Sequence, residues 1–172
     1  MRWKAIGRLL AGPVALAALA APGAIAAQAG ADSLLTPAEV QKQFPATVYY
    51  DGQSAPAQLR NSGGVKFADG HFVLASLVDT GGYSSGIAAK YQGYLIAEVS
   101  LDIQGKRLPA GAYGFGFVDG EYVVTDLGGS TVLAAHAAID QAMRRPRPLQ
   151  VTYDSTGGFR LYSGRNYVRF TR

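Results

Sequence analysis

The sequence of 172 residues contains no cysteine, two histidines and a single tryptophan, Trp3. Without cysteine, the chain can form neither a disulfide framework nor a zinc site of the cysteine type. Two histidines are too few for a histidine-rich metal centre, and the pattern of a calcium-binding loop does not occur. We therefore expect neither a metal nor a cofactor.

A strong net charge is also lacking once the first residues are set aside. Three of the sixteen Lys and Arg residues stand at positions 2, 4 and 8, whereas all twelve Asp and Glu residues come later. The remainder is nearly neutral, so there is no electrostatic reason to expect nucleic acid as a partner. Most arginines follow position 143, where Asp154 is the sole acidic residue. We expect these arginines to alternate along exposed strand faces.

The first residues have the pattern of a secretory signal peptide. The three basic residues precede an apolar run from Leu9 to about Ala21, and small residues suited to cleavage follow. We predict a signal peptide over 1–31, with cleavage between about 26 and 31, and one exported domain over 32–172. We expect the domain to be periplasmic or extracellular. Its later apolar runs are too short to cross a bilayer, so we expect no membrane span in the mature chain.

Beyond residue 45 the hydrophobic pattern has a period of two. From Leu95 to Ile103, apolar residues alternate with mostly polar ones, which is typical of a strand with one buried face. The pattern predicts an all-β, mainly antiparallel fold, either a β-sandwich or a flattened barrel. Turn signals separate the predicted strands: Asp51-Gly52, Asp69-Gly70, Gln104-Gly105, Asp119-Gly120 and Gly157-Gly158.

Two short helices are also predicted. Thr36 and Glu39 have the spacing of a capping box, with Pro37 in the first turn, and this predicts a helix over about 37–44. The alanine-rich stretch 134–145 ends in two arginines before a proline, and its composition predicts an inserted helix.

The stretch AYGFGF places two glycines between aromatic residues. In a strand, Tyr113, Phe115 and Phe117 share one face, whereas Gly114 and Gly116 leave the other face without side chains. Something bulky must approach the backbone on that bare face. It is either a ligand lying on the glycines or a neighbouring part of the protein.

Candidate ligand-binding residues on this interpretation are Gly114, Gly116 and Tyr83. Tyrosines line many sugar and lipid surfaces, although packing in a sheet accounts for them equally well. The expected ligand is a small apolar molecule or another component of the cell envelope. The oligomeric state stays open.

Two stretches resemble catalytic motifs. Leu77-Val78-Asp79-Thr80-Gly81 resembles the Asp-Thr-Gly loop of aspartic proteases, and Asp79 would be the catalytic residue. Such enzymes need two carboxylates and the chain has one copy of the motif, so the alternative is a dimeric, retroviral-type protease. Gly82-Tyr83-Ser84-Ser85-Gly86 matches the nucleophile elbow of α/β-hydrolases, but the predicted hairpins do not fit that fold, and a polar loop is expected.

The segment from Leu101 to Tyr113 reads L-x-I-x-G-K-x-L-P-A-G-x-Y. It resembles a segment found in a family of exported bacterial domains whose activity is not established. The resemblance implies a short β-rich protein with a signal peptide. We therefore expect a non-enzymatic exported β-sandwich that binds a ligand or an envelope partner. A purely structural envelope protein is the other interpretation.

Overall fold

The computed structural model describes residues 30–172 and has two antiparallel sheets and two short helices. Residues 1–29, the greater part of the predicted signal peptide, lie outside the described residues. The all-β prediction is confirmed, and of the two predicted architectures the structure has the sandwich. The helices are α1 (Pro37–Val40) and α2 (Ser85–Lys90). The strands are β1 (Ser33–Leu35), β2 (Thr47–Tyr50), β3 (Gln53–Lys66), β4 (Phe72–Val78), β5 (Gly93–Ala97), β6 (Leu101–Ile103), β7 (Lys106–Leu108), β8 (Gly111–Val118), β9 (Glu121–Thr125), β10 (Thr131–His136), β11 (Ala138–Ile139), β12 (Arg147–Tyr153), β13 (Phe159–Gly164) and β14 (Asn166–Thr171).

The strands divide into a sheet of eight and a sheet of six. The larger sheet has the order β1-β3-β4-β5-β8-β9-β10, and β2 pairs with another part of β3. The smaller sheet has the order β12-β13-β14-β6-β7, and β11 pairs with β14. Every pairing is antiparallel, as the frequent tight turns predict.

The predicted turns join neighbouring strands as expected. At Asp51-Gly52, Gln104-Gly105 and Asp119-Gly120 both central residues have positive φ, which two-residue type I′ hairpins require. Glycine adopts this conformation without strain, and Asp tolerates it better than most residues. These three turns set the registers of β2–β3, β6–β7 and β8–β9.

Two hydrophobic clusters lie on opposite faces of the larger sheet. The inter-sheet core fills the space between the two sheets and includes Val73, Leu95 and Phe115 from the larger sheet and Leu161 and Val168 from the smaller one. The outer cluster covers the other face of the larger sheet, where α1, β2 and the residues around α2 pack. Its buried members are Val40, Phe44, Val48, Tyr50, Ala55, Leu74, Val78, Tyr91 and Tyr94.

Burial on both faces explains the composition of β4. Val73 and Ala75 belong to the inter-sheet core, whereas Leu74 and Val78 belong to the outer cluster. A strand covered on both sides has no face for polar residues, so its sequence is almost continuously apolar.

Helix α1 begins as predicted but is shorter. The Thr36 side chain accepts from the backbone N–H of Glu39, and the Glu39 carboxylate accepts from the N–H of Thr36, so the capping box is complete. The α-helical part ends at Val40, and turns continue to about Phe44. Val40 and Phe44 are both buried and fix this segment on the larger sheet.

The helix predicted over 134–145 is wrong, because this stretch begins with strands β10 and β11 and continues as a turn. Ala134 and Ala135 pair with Val123 and Tyr122 of β9. Burial alternates along β10 and places Leu133 and Ala135 in the inter-sheet core. The helix propensity of alanine is therefore overridden by pairing with β9 and by burial of alternate residues.

The stretch Leu95 to Ile103 is two strands in different sheets rather than one. Glu98 marks the break, since its N–H donates to the carbonyl of Phe72 at 3.0 Å and its carboxylate accepts from the N–H of Phe72 at 2.8 Å. The alternation continues through the break because both strands direct their apolar residues into the inter-sheet core. Periodicity alone does not reveal this crossing.

Candidate functional site

The bare face of β8 is covered by tyrosines. A Cβ atom placed on Gly114 would lie 2.6 Å from Cε2 of Tyr50 and 2.9 Å from Cδ2 of Tyr91. The two tyrosine rings stack with centroids 3.8 Å apart and planes 11° apart. Thr125 extends this contact, because its Oγ1 donates to the Gly114 carbonyl at 3.3 Å and hydrogen-bonds the Tyr50 hydroxyl at 2.8 Å. Gly114 is thus required for the close approach of these rings.

The second glycine of this face lies beneath helix α2. A Cβ atom on Gly116 would lie 2.7 Å from the carbonyl oxygen of Ala89 and 2.8 Å from that of Lys90. Gln92 fixes the contact, because its amide nitrogen donates to Ala89 and Phe117 carbonyls and its amide oxygen accepts from Phe117 N–H. The C-terminal end of α2 therefore rests directly on the strand backbone.

Tyr83 belongs to the same cluster of rings. Its centroid lies 5.3 Å from that of Tyr91 and 6.2 Å from that of Tyr50, in edge-to-face arrangements. Its hydroxyl donates to the carbonyls of Tyr50 and Gln53, at 3.0 and 3.2 Å. Tyr83, which the sequence interpretation grouped with Gly114, thus packs against the two rings that cover this glycine.

The glycine face of β8 is not an open surface on which a ligand could lie. Tyr50 and Tyr91 fill the space over Gly114, and the backbone of α2 fills the space over Gly116. Burial raises the pKa of both tyrosine hydroxyls, because the ionised phenol would lose its hydration. A ligand could reach the glycines only by displacing these residues.

Asp79 lies in an exposed turn directly after β4. Its carboxylate accepts from the N–H of Gly81 at 3.0 Å, and its own N–H donates to the carbonyl of Pro56 at 2.9 Å. The carboxylate therefore stabilises its own turn. The dimeric protease alternative requires Asp79 of a second copy to meet this one, and it stays a prediction.

The serine of the G-x-S-x-G stretch has a structural role in the fold. Ser84 is the N-cap of α2, and its side chain accepts from the N–H of Ile87. The stretch was expected to be a polar loop, and the short helix that follows Ser84 was missed. Gly86 lowers the helix propensity of this segment, so only the capping serine indicates a helix start.

A surface groove lies where β3 crosses the edge of the smaller sheet. This β3–β12 groove has a volume of about 370 Å³ and is lined by residues 34–37, 60–63 and 147–151. A second depression of about 660 Å³, between α1 and residues 57–61, adjoins it and shares Pro37, Arg60 and Asn61. Both volumes are within the range of sites that bind small molecules or short peptide segments.

An irregularity in β3 creates the groove. The register with β4 shifts between Gln58 and Ser62, and Leu59, Arg60 and Asn61 have no partner in β4. On the other edge of β3, β2 pairs with residues 53–56 and β1 with residues 64–66. The backbone of Arg60 and Asn61 thus pairs with no strand in the described part of the chain, while Ser62 Oγ donates to the Leu59 carbonyl at 2.6 Å.

The opposite wall of the groove is β12, the terminal strand of the smaller sheet. Pro148, which cannot donate a hydrogen bond, is tolerated there because the edge of a sheet needs no donor. At one end the two walls meet, since a Cβ atom on Gly63 would lie 3.1 Å from the backbone nitrogen of Val151. The groove is therefore closed at Gly63 and open toward Arg60 and Arg147.

The lining of the groove is basic. Arg60 and Arg147 are exposed, and neither forms an ion pair with another residue in the range 30–172. No Asp or Glu among residues 30–172 lines the groove. Glu39 comes two residues after Pro37, which lines the groove. Its carboxylate is already engaged, because it accepts hydrogen bonds from Thr36 N and Oγ1, each at 2.8 Å. Two guanidinium groups are thus available to an anionic ligand.

Sequence reasoning missed the groove residues, although two signals for them exist. The stretch Gln58-Leu59-Arg60-Asn61-Ser62 lacks the apolar alternation of the strands around it, which is consistent with a bulge. Pro148 within an otherwise strand-like stretch indicates an edge strand. Neither signal shows that the two stretches meet, because they are far apart in the sequence.

The arginines of the smaller sheet are partly engaged in a network of their own. Arg160 and Arg169 form ion pairs with the buried carboxylate of Asp154. Hydrogen bonds from Thr156, against the opposing effect of burial, and then from Arg160 hold the pKa of Asp154 far below its usual range. The expectation that these arginines simply alternate on exposed faces therefore does not hold for Arg160.

Within the described residues, no group of three or more His, Asp or Glu side chains is placed to hold a metal ion. Neither described helix is long and apolar enough to span a membrane. Comparison with protein-family models, with curated proteins and with solved structures finds no match for the chain. The resemblance of the segment from Leu101 to Tyr113 to an exported family thus stays a prediction.

Proposed function

We propose that the protein is an exported, non-enzymatic binding module of the cell envelope and that it holds its ligand in the β3–β12 groove. The observation that carries the proposal is that one concave site combines two arginines that form no ion pair within residues 30–172 with a stretch of β3 that has no strand partner there. A few charged and polar groups that converge on a concave site are the usual anchors of a bound ligand. The covered glycine face supports placing the ligand here rather than on β8.

The proposal is tested by thermal unfolding of the purified protein with panels of sugars, lipids, metabolites and peptides. At least one class is expected to raise the Tm, because a ligand that binds only the folded state stabilises it. Pro148→Trp fills the groove from an exposed position and should abolish the shift. Val132→Trp is the matched control, since Val132 is exposed on β10 and does not line the groove.

Two results would contradict the proposal. One is the absence of any Tm shift across the panels. The other is a shift that survives in Pro148→Trp, which would place the ligand at another site.

A further inference from the structure

We propose, building on the binding function above, that the ligand of the β3–β12 groove is an extended peptide segment carrying several Asp or Glu side chains. Its main chain pairs with the backbone of Arg60 and Asn61, and its carboxylates bind the guanidinium groups of Arg60 and Arg147.

The charge of the groove selects an anion. Arg60 lies on the β3 wall and Arg147 on the β12 wall, so a ligand between them meets a guanidinium group on either side. Arginine binds carboxylates through paired hydrogen bonds that are stronger than those between neutral groups. A cationic or purely apolar ligand would leave both guanidinium groups without a counter-charge.

The backbone of the groove selects an extended peptide. Arg60 and Asn61 lie in a strand, but neither residue has a register partner in β4 or in the strands on the other edge of β3. An extended peptide pairs with the backbone groups of such residues by adding as a short strand, which is a common mode of peptide recognition. A sugar or a lipid offers no repeating pattern of amide donors and acceptors.

The shape of the groove agrees with a segment rather than a single small anion. The groove and the adjoining depression share Arg60 and Asn61, so the two recesses lie next to each other between α1 and β12. The close approach of Gly63 to Val151 closes one end of the groove and limits how far a peptide extends there. An isolated carboxylate such as acetate would occupy only a fraction of this space.

The test is fluorescence anisotropy with a labelled octapeptide of alternating Glu and Val, titrated with the purified protein. Three comparison ligands are used: the same peptide with Lys in place of Glu, the Glu peptide N-methylated at every Val, and an oligosaccharide of uronic acids. The protein variants are Arg60→Ala/Arg147→Ala and, as the matched control, Arg144→Ala/Arg145→Ala. The control removes the same charge from two exposed arginines that do not line the groove.

The expected result is binding of the Glu peptide that weakens in high salt and is lost with the Lys peptide. Arg60→Ala/Arg147→Ala should weaken binding by roughly tenfold or more, whereas Arg144→Ala/Arg145→Ala should change it by less than about twofold. N-methylation should also weaken binding by roughly tenfold, since it removes main-chain donors but keeps the charge.

Several results would overturn the inference. Equal binding of the N-methylated peptide would show attraction by charge alone, and equal weakening by both double variants would show a diffuse basic surface. Binding of the oligosaccharide without the peptide would make the ligand an anionic sugar and would leave the groove's binding function standing. Suppose that no anionic probe binds but a neutral ligand raises the Tm and Pro148→Trp abolishes that shift. The acidic peptide would then be wrong as the ligand, and the groove's binding function would still stand. Failure of every ligand in both experiments would contradict the proposed function itself.

Discussion

The two hydrophobic clusters on either side of the larger sheet are built from different side chains. The inter-sheet core is mainly aliphatic and phenylalanine, with Tyr122 as its one fully buried tyrosine in the described chain. The outer cluster is rich in tyrosine and contains Tyr50, Tyr91 and Tyr94. In the inter-sheet core, side chains from the two sheets fill the space between them. In the outer cluster, a hairpin and a short helix pack closely on sheet backbone that carries no side chains.

Strand β8 takes part in both clusters, and its alternating sequence reflects this. Phe115 is fully buried in the inter-sheet core, with its ring centroid 5.5 Å from that of Tyr122. Gly114 and Gly116 face the other way and allow Tyr50, Tyr91 and α2 to approach. The two glycines are therefore as specific for packing on their face of β8 as the aromatic rings are on the opposite face.

The largest expected effect breaks the inter-sheet core. Phe115→Ala should lower the free energy of unfolding by about 3 to 5 kcal/mol, because it leaves a cavity among closely packed side chains. Urea unfolding measures the change, and Leu127→Ala is the control. Leu127 is partly exposed in a loop, so its truncation should cost less than about 0.5 kcal/mol. A cost below about 1 kcal/mol for Phe115→Ala would show that this face of β8 is not in the core.

Added methyl groups test the opposite face of the same strand. Gly114→Ala and Gly116→Ala should each destabilise the protein by about 1 to 3 kcal/mol, because the new atom meets a ring or a helix backbone. Gly86→Ala is the matched control, since nothing lies within 4 Å of its Cβ position and it is inside α2. It should stabilise the protein by about 0.5 to 1 kcal/mol. Stabilisation by Gly114→Ala and Gly116→Ala, as expected for Gly86→Ala, would contradict the close contacts at β8.

Removing single hydroxyl groups compares two stacked rings of the outer cluster. Tyr50→Phe should cost about 1 kcal/mol, because the Tyr50 hydroxyl bonds Thr125 in a buried position. The Tyr91 hydroxyl is buried without a hydrogen-bond partner in the described residues. Tyr91→Phe should therefore be neutral or slightly stabilising in chemical unfolding. A larger loss for Tyr91→Phe than for Tyr50→Phe would reverse this assignment.

Alkaline pH gives the smallest effect and compares one tyrosine from each cluster. Burial raises the pKa of Tyr91 and Tyr122 in the folded state, so folding disfavours their ionised forms. Their stabilising contribution is complete below the unfolded pKa of about 10 and is lost as pH rises from there toward the folded pKa. Unfolding curves between about pH 8 and 11 should show a smaller loss of stability in Tyr91→Phe and Tyr122→Phe than in the unsubstituted protein. Identical pH dependence in all three would contradict the burial of these hydroxyls.

Local chemistry explains which parts of the fold the sequence predicts. The Asp-Gly and Gln-Gly turns require positive φ, and the capping box at Thr36 satisfies its own backbone, so both are readable from a few adjacent residues. The composition of 134–145 predicts a helix because alanine favours helices locally, whereas the pairing with β9 that makes Ala134 and Ala135 part of a strand involves residues outside that stretch. Helix α2 was missed for the opposite reason, since Gly86 disfavours a helix that packing on β8 supports.

The site was predictable only in part. The spacing of Gly114 and Gly116 predicts that something approaches the backbone, but the sequence does not show that Tyr50 and Tyr91 do so, because each lies more than 20 residues away. The β3–β12 groove is harder to predict from the sequence, because it depends on a register shift in one sheet and on the edge strand of the other. Both features arise from how distant segments meet.

The most direct test of this account is the nuclear Overhauser effect between the Hα protons of Gly114 and the ring protons of Tyr50 and Tyr91. The close packing of both rings on the glycine predicts strong cross-peaks to each ring and upfield-shifted Hα resonances. Cross-peaks to water with none to either ring would show an open glycine face and would contradict the account.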